Sequence, residues 1–482
     1  MKMYWEDLLR ILPELYLLGS AMVVLLLGMV VDARWIHRLS AVSMGVVAFL
    51  SWLSAVNHVA EDTTLFNGLV LHTRYTCASR VLVSIAGFIA SFLSLCAKRE
   101  ARYEFSVVML FAILGAMTLV QAGHFLSFYI SLELNSLSSC VLVCFNRGSK
   151  HASESALKFF MLSALSSCVM LYGISLVYGY SPGLECSVVK EVLEGRASLG
   201  AALGCAFILV GVLSKLAVVP FHMWAVDTYH GSPMAAMAFF LIVTKSAAIL
   251  LLARMVGENG VLQQGLLLGF ICASGLSTIV GELGALRQSN IKRLLAYSNI
   301  GQLGYVLPVV VLHGTSSYAI FHYVLTGWII NAWIFSVLLR YDDEGFELAS
   351  LAGMHRSSPF VAFALVVSMV SAAGFPPFLG CWPKYFLLKS IAMSDIPTVV
   401  AFSYVLLVCA VGIVPCFYCF RIARVVYFDQ PAMGAGHPAL THHLGLTVIA
   451  VVCMLLSVIA LCLSPYFDIL LQGLVWVFGG RT

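Results

Sequence analysis

The sequence predicts an all-α polytopic membrane protein with about 14 transmembrane helices. Hydrophobic residues make up 61% of the 482 residues and charged residues only 10%, whereas a soluble domain contains about 25% charged residues. Apolar stretches of roughly 20 residues recur along the whole chain, and this is the length that crosses a bilayer core of about 30 Å. The segments between these stretches are short, so no soluble domain is expected.

The apolar stretches, taken in chain order, form predicted spans 1 to 14. Span 1 has Glu6, Asp7 and Glu14 before or within it and lacks a small-residue cleavage site. It is therefore expected to remain as an anchor and not to be removed as a signal peptide. The spans lie near residues 11–31, 38–57, 80–97, 105–121, 124–145, 155–179, 199–220, 233–254, 261–281, 296–313, 315–339, 359–378, 396–420 and 444–466.

Charge balance and the absence of certain motifs exclude several function classes. The 27 basic and 23 acidic residues give a formal net charge of +4, which is too balanced for a nucleic-acid partner. Most of the 14 cysteines lie in apolar runs, where cysteine packs as a small apolar residue. No Walker loop and no GxGxxG motif follows a strand, so the sequence predicts no nucleotide site.

Lysine and arginine are divided unevenly between the two sets of alternate loops. One set holds 14 of these residues and the opposite set holds nine. Because cytoplasmic loops carry the excess of positive charge, both termini are expected outside the cytoplasm. Four lysines belong to neither set, since they lie within the apolar spans or beside their helix breakers: Lys158, Lys215, Lys245 and Lys384.

These four lysines and Glu133, in span 5, are charges in an apolar environment. A charged residue at the centre of a membrane helix costs on the order of 2.5–3.5 kcal/mol, and only Lys158 lies close enough to a span end to reach the interface. A structural ion pair would explain one such pair. Five charges in different spans favour a proton path, because burial disfavours a charged amine and a nearby carboxylate restores its charge.

Two of the lysines lie beside prolines. Lys215 precedes Pro220 in SKLAVVPFHMW, and Lys384 follows Pro376 and Pro377 in GFPPFLGCWPKY. Proline breaks or kinks a helix, and the freed backbone groups are tolerated at membrane depth only next to protein or a watery cavity. A simple kink would explain either site alone. Interrupted helices in both halves indicate an internal repeat and an ion path.

Two histidines and one ion pair are secondary relay or gating candidates. His222 follows the break at Pro220, and His322 lies in span 11. Histidine titrates near neutral pH and can pass a proton between its two nitrogens, although packing explains His322 equally well. Glu154 and Lys158 are spaced i, i+4 and share a helix face, which is consistent with a membrane-edge ion pair or with a gate on the cytoplasmic side.

Four long stretches match a known family: LELNSLSSCVLV (132–143), ESALKFFMLSALSSCVMLYGISLVYG (154–179), KLAVVPFHMWAVDTYHGSP (215–233) and LRQSNIKRLLAYSNIGQLGY (286–305). With them the chain resembles the antiporter-like membrane subunits of proton-pumping NADH–quinone oxidoreductase, respiratory complex I. Among those subunits it most resembles subunit N. The resemblance covers nearly the whole chain, and it implies that spans 4–8 and 9–13 are inverted five-helix repeats with helices 7 and 12 broken.

The resemblance also implies the organisation of the chain and the roles of its charges. One transmembrane domain would hold helices 1–3 in 1–104, the repeats in 105–256 and 257–421, and helix 14 with the tail in 422–482. By motif match, Glu133 is the glutamate of helix 5 and Lys215 its partner in helix 7. Lys245 belongs to the central hydrophilic axis, and Lys384 is the lysine of the exit half-channel in helix 12. With a lysine at this last position, the chain resembles subunit N. It differs there from the sibling subunit that has a glutamate.

Three positions depart from the family pattern. Val226 stands where the family usually has proline, His230 where an acidic residue is frequent, and Gln302 where a histidine is common in helix 10. His322 is a candidate to replace the relay role of that histidine. These departures bear on the central path and leave the family resemblance intact.

The resemblance implies that this chain binds no cofactor itself, while partner subunits bind NADH, FMN, iron–sulfur clusters and quinone. The implied partners are the other membrane-arm subunits of complex I, including neighbouring antiporter-like subunits, and the lipid bilayer, with no nucleic acid. The implied location is the bacterial cell inner membrane. Two alternatives remain open: a subunit of a multisubunit cation/proton antiporter, and a structural membrane scaffold whose charges only pair helices.

Overall fold

The structure is a computed structural model, and helices dominate it. Among the residues that it describes, nine helices are long and apolar enough to cross a membrane. This confirms the predicted all-α, multi-pass membrane fold class, while the total of about 14 helices stays a prediction because span 14 lies almost entirely outside the described residues. The described residues are 7–57, 63–96, 102–146, 148–196, 199–258, 267–310, 316–340, 347–393, 397–430, 447 and 450–454.

Spans 1 to 6 are helices at the predicted places. Polar side chains mark several of their starts: Thr73 accepts a hydrogen bond from the backbone N–H of Thr76, and His124 accepts one from the backbone N–H of Leu126. Such caps satisfy backbone donors that have no partner within the helix. The helices are α1 (Leu12–Gly28), α2 (Ala33–Asn57), α3 (Arg74–Leu95), α4 (Tyr103–Gln121), α5 (Phe125–Val143) and α6 (Lys150–Tyr180).

Several small elements between the spans were not predicted. The strands β1 (Thr63–Leu65) and β2 (Val70–His72) form an antiparallel hairpin between α2 and α3. Asn67 and Gly68 in its turn have positive φ angles of 55° and 82°, which these residue types adopt readily. A short helix, α7 (Cys186–Arg196), lies within the predicted loop 181–198.

Span 7 is broken as predicted. Helix α8 (Leu199–Lys215) ends at the lysine, and α9 (Met223–Gly231) begins eight residues later. Ala217, between them, has a φ of 57°, a left-handed conformation that an α-helix cannot continue through.

Span 8 contains an irregularity that hydropathy does not reveal. A π-helical turn at Phe240–Thr244 separates α10 (Met234–Phe239) from α11 (Lys245–Ala253), and a second π-turn follows at Arg254–Glu258. Lys245 is therefore the first residue after the first π-turn.

Spans 9 to 13 are also helical, with one further break as predicted. Span 12 is interrupted between α16 and α17, where Gly374 has a φ of 77° and ends α16 in the left-handed conformation typical of helix C-termini. The helices are α12 (Leu267–Arg287), α13 (Ile291–Val310), α14 (Ser316–Leu338), the short α15 (Met354–Ser357), α16 (Pro359–Ala373), α17 (Cys381–Ala392), α18 (Thr398–Val411) and α19 (Val414–Tyr427).

The chain divides into two compact units. The first comprises the residues up to Leu216 and the segment that starts at Phe239, and the second comprises Ala217–Ala238 and the residues that follow Leu266. Small residues allow close helix packing in each unit. In the first, a Cβ atom on Gly173 of α6 would lie 2.6 Å from the carbonyl oxygen of Gly204 of α8.

Four cations that the count of lysine and arginine assigned to loops are buried within the protein: Arg80, Arg254, Lys292 and Arg340. Arg80 lies 3.7 Å from the carboxylate of Glu14, which is also buried. Lys292 falls in the first turn of α13, four residues before the predicted start of span 10. A count of charges between apolar stretches follows position along the chain and does not reveal burial. The orientation of the termini stays a prediction.

Candidate functional site

The first unit brings Glu133 and Lys215 into one cluster of polar side chains. The ammonium of Lys215, at the end of α8, donates to the hydroxyl of Ser163 on α6 at 2.5 Å and to the hydroxyl of Ser136 on α5 at 3.0 Å. Glu133 lies one turn before Ser136 and accepts a hydrogen bond from Ser167, which lies one turn after Ser163. Spacings of three and four residues place these groups on common helix faces.

This cluster joins the lysine to neutral hydroxyls while the carboxylate acts on it through space. A hydroxyl can donate as well as accept a hydrogen bond. Ser136 and Ser163 can therefore hold the amine of Lys215 in its charged and in its neutral form.

Lys245, the third predicted residue of the first unit, lies at the end of the π-turn and is partly buried. Its backbone N–H bonds to the carbonyl of Phe240, five residues earlier. The ring of Phe240 packs edge-on against Phe159 of α6, with centroids 5.7 Å apart. Single π-turns are frequent at functional sites, and this one sets the direction in which Lys245 leaves the helix.

The second unit holds Lys384 in a cluster of different composition. Its ammonium donates to the carbonyl oxygen of Ala373 at 2.6 Å, where α16 ends, and lies 4.8 Å from the centre of the Tyr305 ring. The hydroxyl of Tyr305 donates to one carboxylate oxygen of Glu282, and the hydroxyl of Tyr418 donates to the other, each at 3.3 Å. Glu282 is 1% exposed.

Sequence reasoning missed Glu282 because predicted span 9 ended at residue 281. Helix α12 continues to Arg287, so the carboxylate lies inside the helix and not in a loop. The signal was present in TIVGELGALR, where the apolar pattern resumes after the glutamate. A length-based boundary removed a residue that helical periodicity would have kept.

The secondary candidates are two histidines and one exposed ion pair. His222 precedes α9 and is partly buried, and His322 is buried with its ring 4.9 Å from the ring of Phe386. Glu154 and Lys158 form the predicted i, i+4 ion pair at 2.8 Å on an exposed face of α6. Their relay and gating roles stay predictions. In the described ranges, no group of three or more His, Cys, Asp or Glu side chains is arranged to hold a metal ion.

Partly buried lysines at helix breaks or a π-turn, two of them with a carboxylate nearby, define the class of antiporter-like membrane subunits. The family model "NADH:quinone oxidoreductase/Mrp antiporter, TM" matches residues 122–409. The chain is 87% identical to "NADH-quinone oxidoreductase subunit N" of Anaplasma marginale (strain Florida) over 481 residues, which cover 100% of both chains. The chain belongs to the NADH-quinone oxidoreductase subunit N family.

Solved structures agree with this assignment. A chain of respiratory complex I from Thermus thermophilus has a TM-score of 0.79 and 25% identity, with coverage of 94% of this chain and 97% of that chain. A chain of the Mrp complex from Dietzia sp. DQ12-45-1b has a TM-score of 0.81 and 19% identity, with coverage of 99% and 96%. The second likeness shows the fold alone, so the fold does not separate the two kinds of complex.

Proposed function

We propose that this chain is the proton-translocating, antiporter-like membrane subunit of an NADH–quinone oxidoreductase. Electron transfer from NADH to quinone would take place in partner subunits, which would hold the NADH, FMN, iron–sulfur and quinone sites. The observation that carries this proposal is the arrangement of Lys215 at a helix break, bonded to hydroxyls from α5 and α6 with Glu133 nearby. This arrangement can hold a lysine in either protonation state.

The chemistry follows from the charge of the carboxylate. When Glu133 is close to Lys215, the negative charge favours the ammonium; when it is further away or neutral, the buried amine releases its proton more readily. Redox-driven movement at this pair would therefore switch the lysine between holding and releasing a proton. Each proton moved against about 100 mV costs about 2.3 kcal/mol, so leakage through an ungated pair would waste the energy of the reaction.

The other predicted residues have parallel roles in the proposal. Lys245 and Lys384 carry protons, and His222 and His322 relay them. The exposed pair Glu154 and Lys158 gates access from the cytoplasmic side. The membrane is the bacterial inner membrane, both termini are periplasmic, and the neighbouring chains are other membrane-arm subunits of complex I. The naming of the 87% identical relative supports this complex over a cation/proton antiporter.

The first experiment is a native gel of mild-detergent membranes from a bacterium that expresses the chain with its partner subunits. The gel is probed for this chain and stained for NADH oxidation. Co-migration with a very large NADH-active band supports the proposal. A smaller band without this activity would contradict it, and sodium-dependent proton flux in that band would identify the antiporter alternative.

The second experiment measures NADH-driven acidification of inverted membrane vesicles that carry Lys215→Ala or Glu133→Ala. Both variants should assemble and lose most of their pumping. Lys150→Ala, at an exposed position at the start of α6, is the control and should pump normally. Normal pumping by assembled Lys215→Ala would refute the role of this lysine. Normal turnover after paired neutral replacement of Glu133 and Lys215 would favour the scaffold alternative.

A further inference from the structure

Glu282 is a buried carboxylate without a role in the function proposed above. Its side chain is 1% exposed, and a buried carboxylate is costly unless its oxygens are hydrogen-bonded or paired with a cation. Both oxygens have a donor, the hydroxyls of Tyr305 and Tyr418, at 3.3 Å. These distances exceed the usual 2.5–3.0 Å or so for O–H···O bonds. The carboxylate thus accepts one hydrogen bond from each tyrosine hydroxyl, and neither bond is short enough to fix its position tightly.

Tyr305 contacts both the carboxylate and the lysine. Its hydroxyl donates to Glu282, and its ring face lies 4.8 Å from the ammonium nitrogen of Lys384. A ring centre within about 6 Å of an ammonium attracts it. The negative charge of Glu282 also acts on Lys384 through space. One tyrosine therefore connects an anion and a cation that come from different helices.

Two glycines leave room for the charged ends of these side chains. A Cβ atom on Gly301 would lie 2.7 Å from a carboxylate oxygen of Glu282, and one on Gly374 would lie 3.0 Å from the ammonium of Lys384. Both distances are shorter than van der Waals contact. A larger residue at either position would therefore have to displace one of these two groups.

Gln302 is a second polar residue at the break of span 12. Its amide lies 3.5 Å from the carbonyl of Ala372, the residue before the carbonyl that accepts from Lys384. An amide cannot gain or lose a proton near neutral pH. Glu282 brings a titratable group to the same helix break. The first unit has a comparable set of groups, with Glu133, hydroxyls and Lys215 at the break of span 7.

We infer that Glu282 is the positioning carboxylate of Lys384. Its negative charge holds the ammonium at the break of span 12, and its movement or neutralisation lets the lysine give up its proton. The inference rests on the proposed function, because it gives Lys384 a proton-carrying role. It adds a residue from α12 to a site that sequence reasoning assigned to the lysine alone.

The test measures NADH-driven pumping per assembled complex in inverted vesicles for Glu282→Gln and Glu282→Asp. The glutamine keeps the size of the side chain and removes its charge, so pumping should fall about tenfold, within the range for coupled neighbours. The aspartate restores the charge with a shorter reach and should recover part of the rate. Glu14→Gln is the control, because it removes another buried carboxylate, which bonds Gln121 and faces Arg80. It should pump near the wild-type rate.

A double variant separates this inference from the proposed function. Once Lys384→Ala has lowered pumping, adding Glu282→Gln should cause no further loss. The inference would be overturned by a further tenfold loss in the double variant. It would also be overturned if Glu282→Gln pumped normally while Lys384→Ala was impaired. Either result would leave the proposed function standing. Normal pumping by Lys384→Ala would instead contradict the role of the lysine itself. If Glu282→Gln does not assemble, Glu282→Asp decides, because it keeps the charge and shortens the reach of the side chain. Pumping by assembled Glu282→Asp at the full wild-type rate would then overturn the inference.

Discussion

Gly374→Ala is predicted to disable Lys384 without replacing a charged residue. Gly374 ends α16 with a φ of 77°, and the methyl group of alanine would lie 2.8 Å from both Cδ and Cε of Lys384. Carbon atoms in contact are separated by about 3.5–4.0 Å. The lysine side chain must therefore move by about 0.7–1.2 Å, and its 2.6 Å hydrogen bond to Ala373 must lengthen or break.

Two costs follow from this displacement. Alanine in the left-handed conformation costs about 1–2 kcal/mol relative to glycine, which lowers the stability of the complex. The misplacement of Lys384 lowers the rate, since a 1 Å error in a reacting group can cost about a hundredfold. We expect pumping to fall at least about tenfold, while the complex still assembles.

The assay compares Gly374→Ala with Gly353→Ala by NADH-driven vesicle acidification, normalised to the complex seen on a native gel. Gly353 precedes α15 with a φ of 72°, so its alanine variant carries a similar backbone cost. The two variants should lose similar thermal stability, and only Gly374→Ala should lose pumping. Equal pumping by the two variants would show that displacement of Lys384 does not control the pumping rate, and it would refute the prediction.

Two further predictions concern the first unit. Ser163→Ala removes the 2.5 Å acceptor of Lys215, and pumping should fall about tenfold because hydrogen bonds to charged groups contribute about 1.5–3 kcal/mol. Ser166→Ala, whose hydroxyl bonds only within its own helix, is the control, and equal vesicle acidification by both variants would contradict the prediction. Arg254→Gln leaves two backbone carbonyls on and after α4 without their donor. This variant should lower the temperature at which the complex dissociates on a native gel. The complex that remains assembled should pump normally. An unchanged dissociation temperature would refute the structural role of Arg254.

Sequence reasoning located the features that depend on strong local signals. The breaks of spans 7 and 12 follow from prolines beside lysines in otherwise apolar runs, and a residue such as Pro220 cannot continue a helix. Glu133 and Lys215 were singled out because each is costly in an apolar helix, and the family resemblance implied that they are partners. The serines that separate them were not predicted. Ser136 and Ser163 belong to serine-rich helices, and only the packing of those helices selects the two that reach Lys215.

The remaining features depend on boundaries and packing that hydropathy cannot resolve. Glu282 lay one residue beyond a predicted span, and the π-turn before Lys245 leaves no mark in the pattern of apolar residues. Arg80 and Arg254 were counted in loops although both are buried. Their burial is possible because tertiary partners, a carboxylate in one case and backbone carbonyls in the other, bind their guanidinium groups. Such partners are distant in the sequence, so a single span carries no trace of them.

The buried cations differ in chemistry according to their surroundings. Arg80 faces Glu14, and Arg254 donates to backbone carbonyls; arginine does not lose its proton in proteins, so these contacts serve structure in every state. The positions proposed to carry protons hold lysine, which is neutralised when burial outweighs its partners. Lys215 and Lys384 bond to hydroxyls or a carbonyl and not directly to the nearby carboxylate. A direct buried ion pair would fix one protonation state. A carboxylate that acts from a short distance leaves the lysine able to change its charge when the carboxylate moves, and a proton carrier requires this.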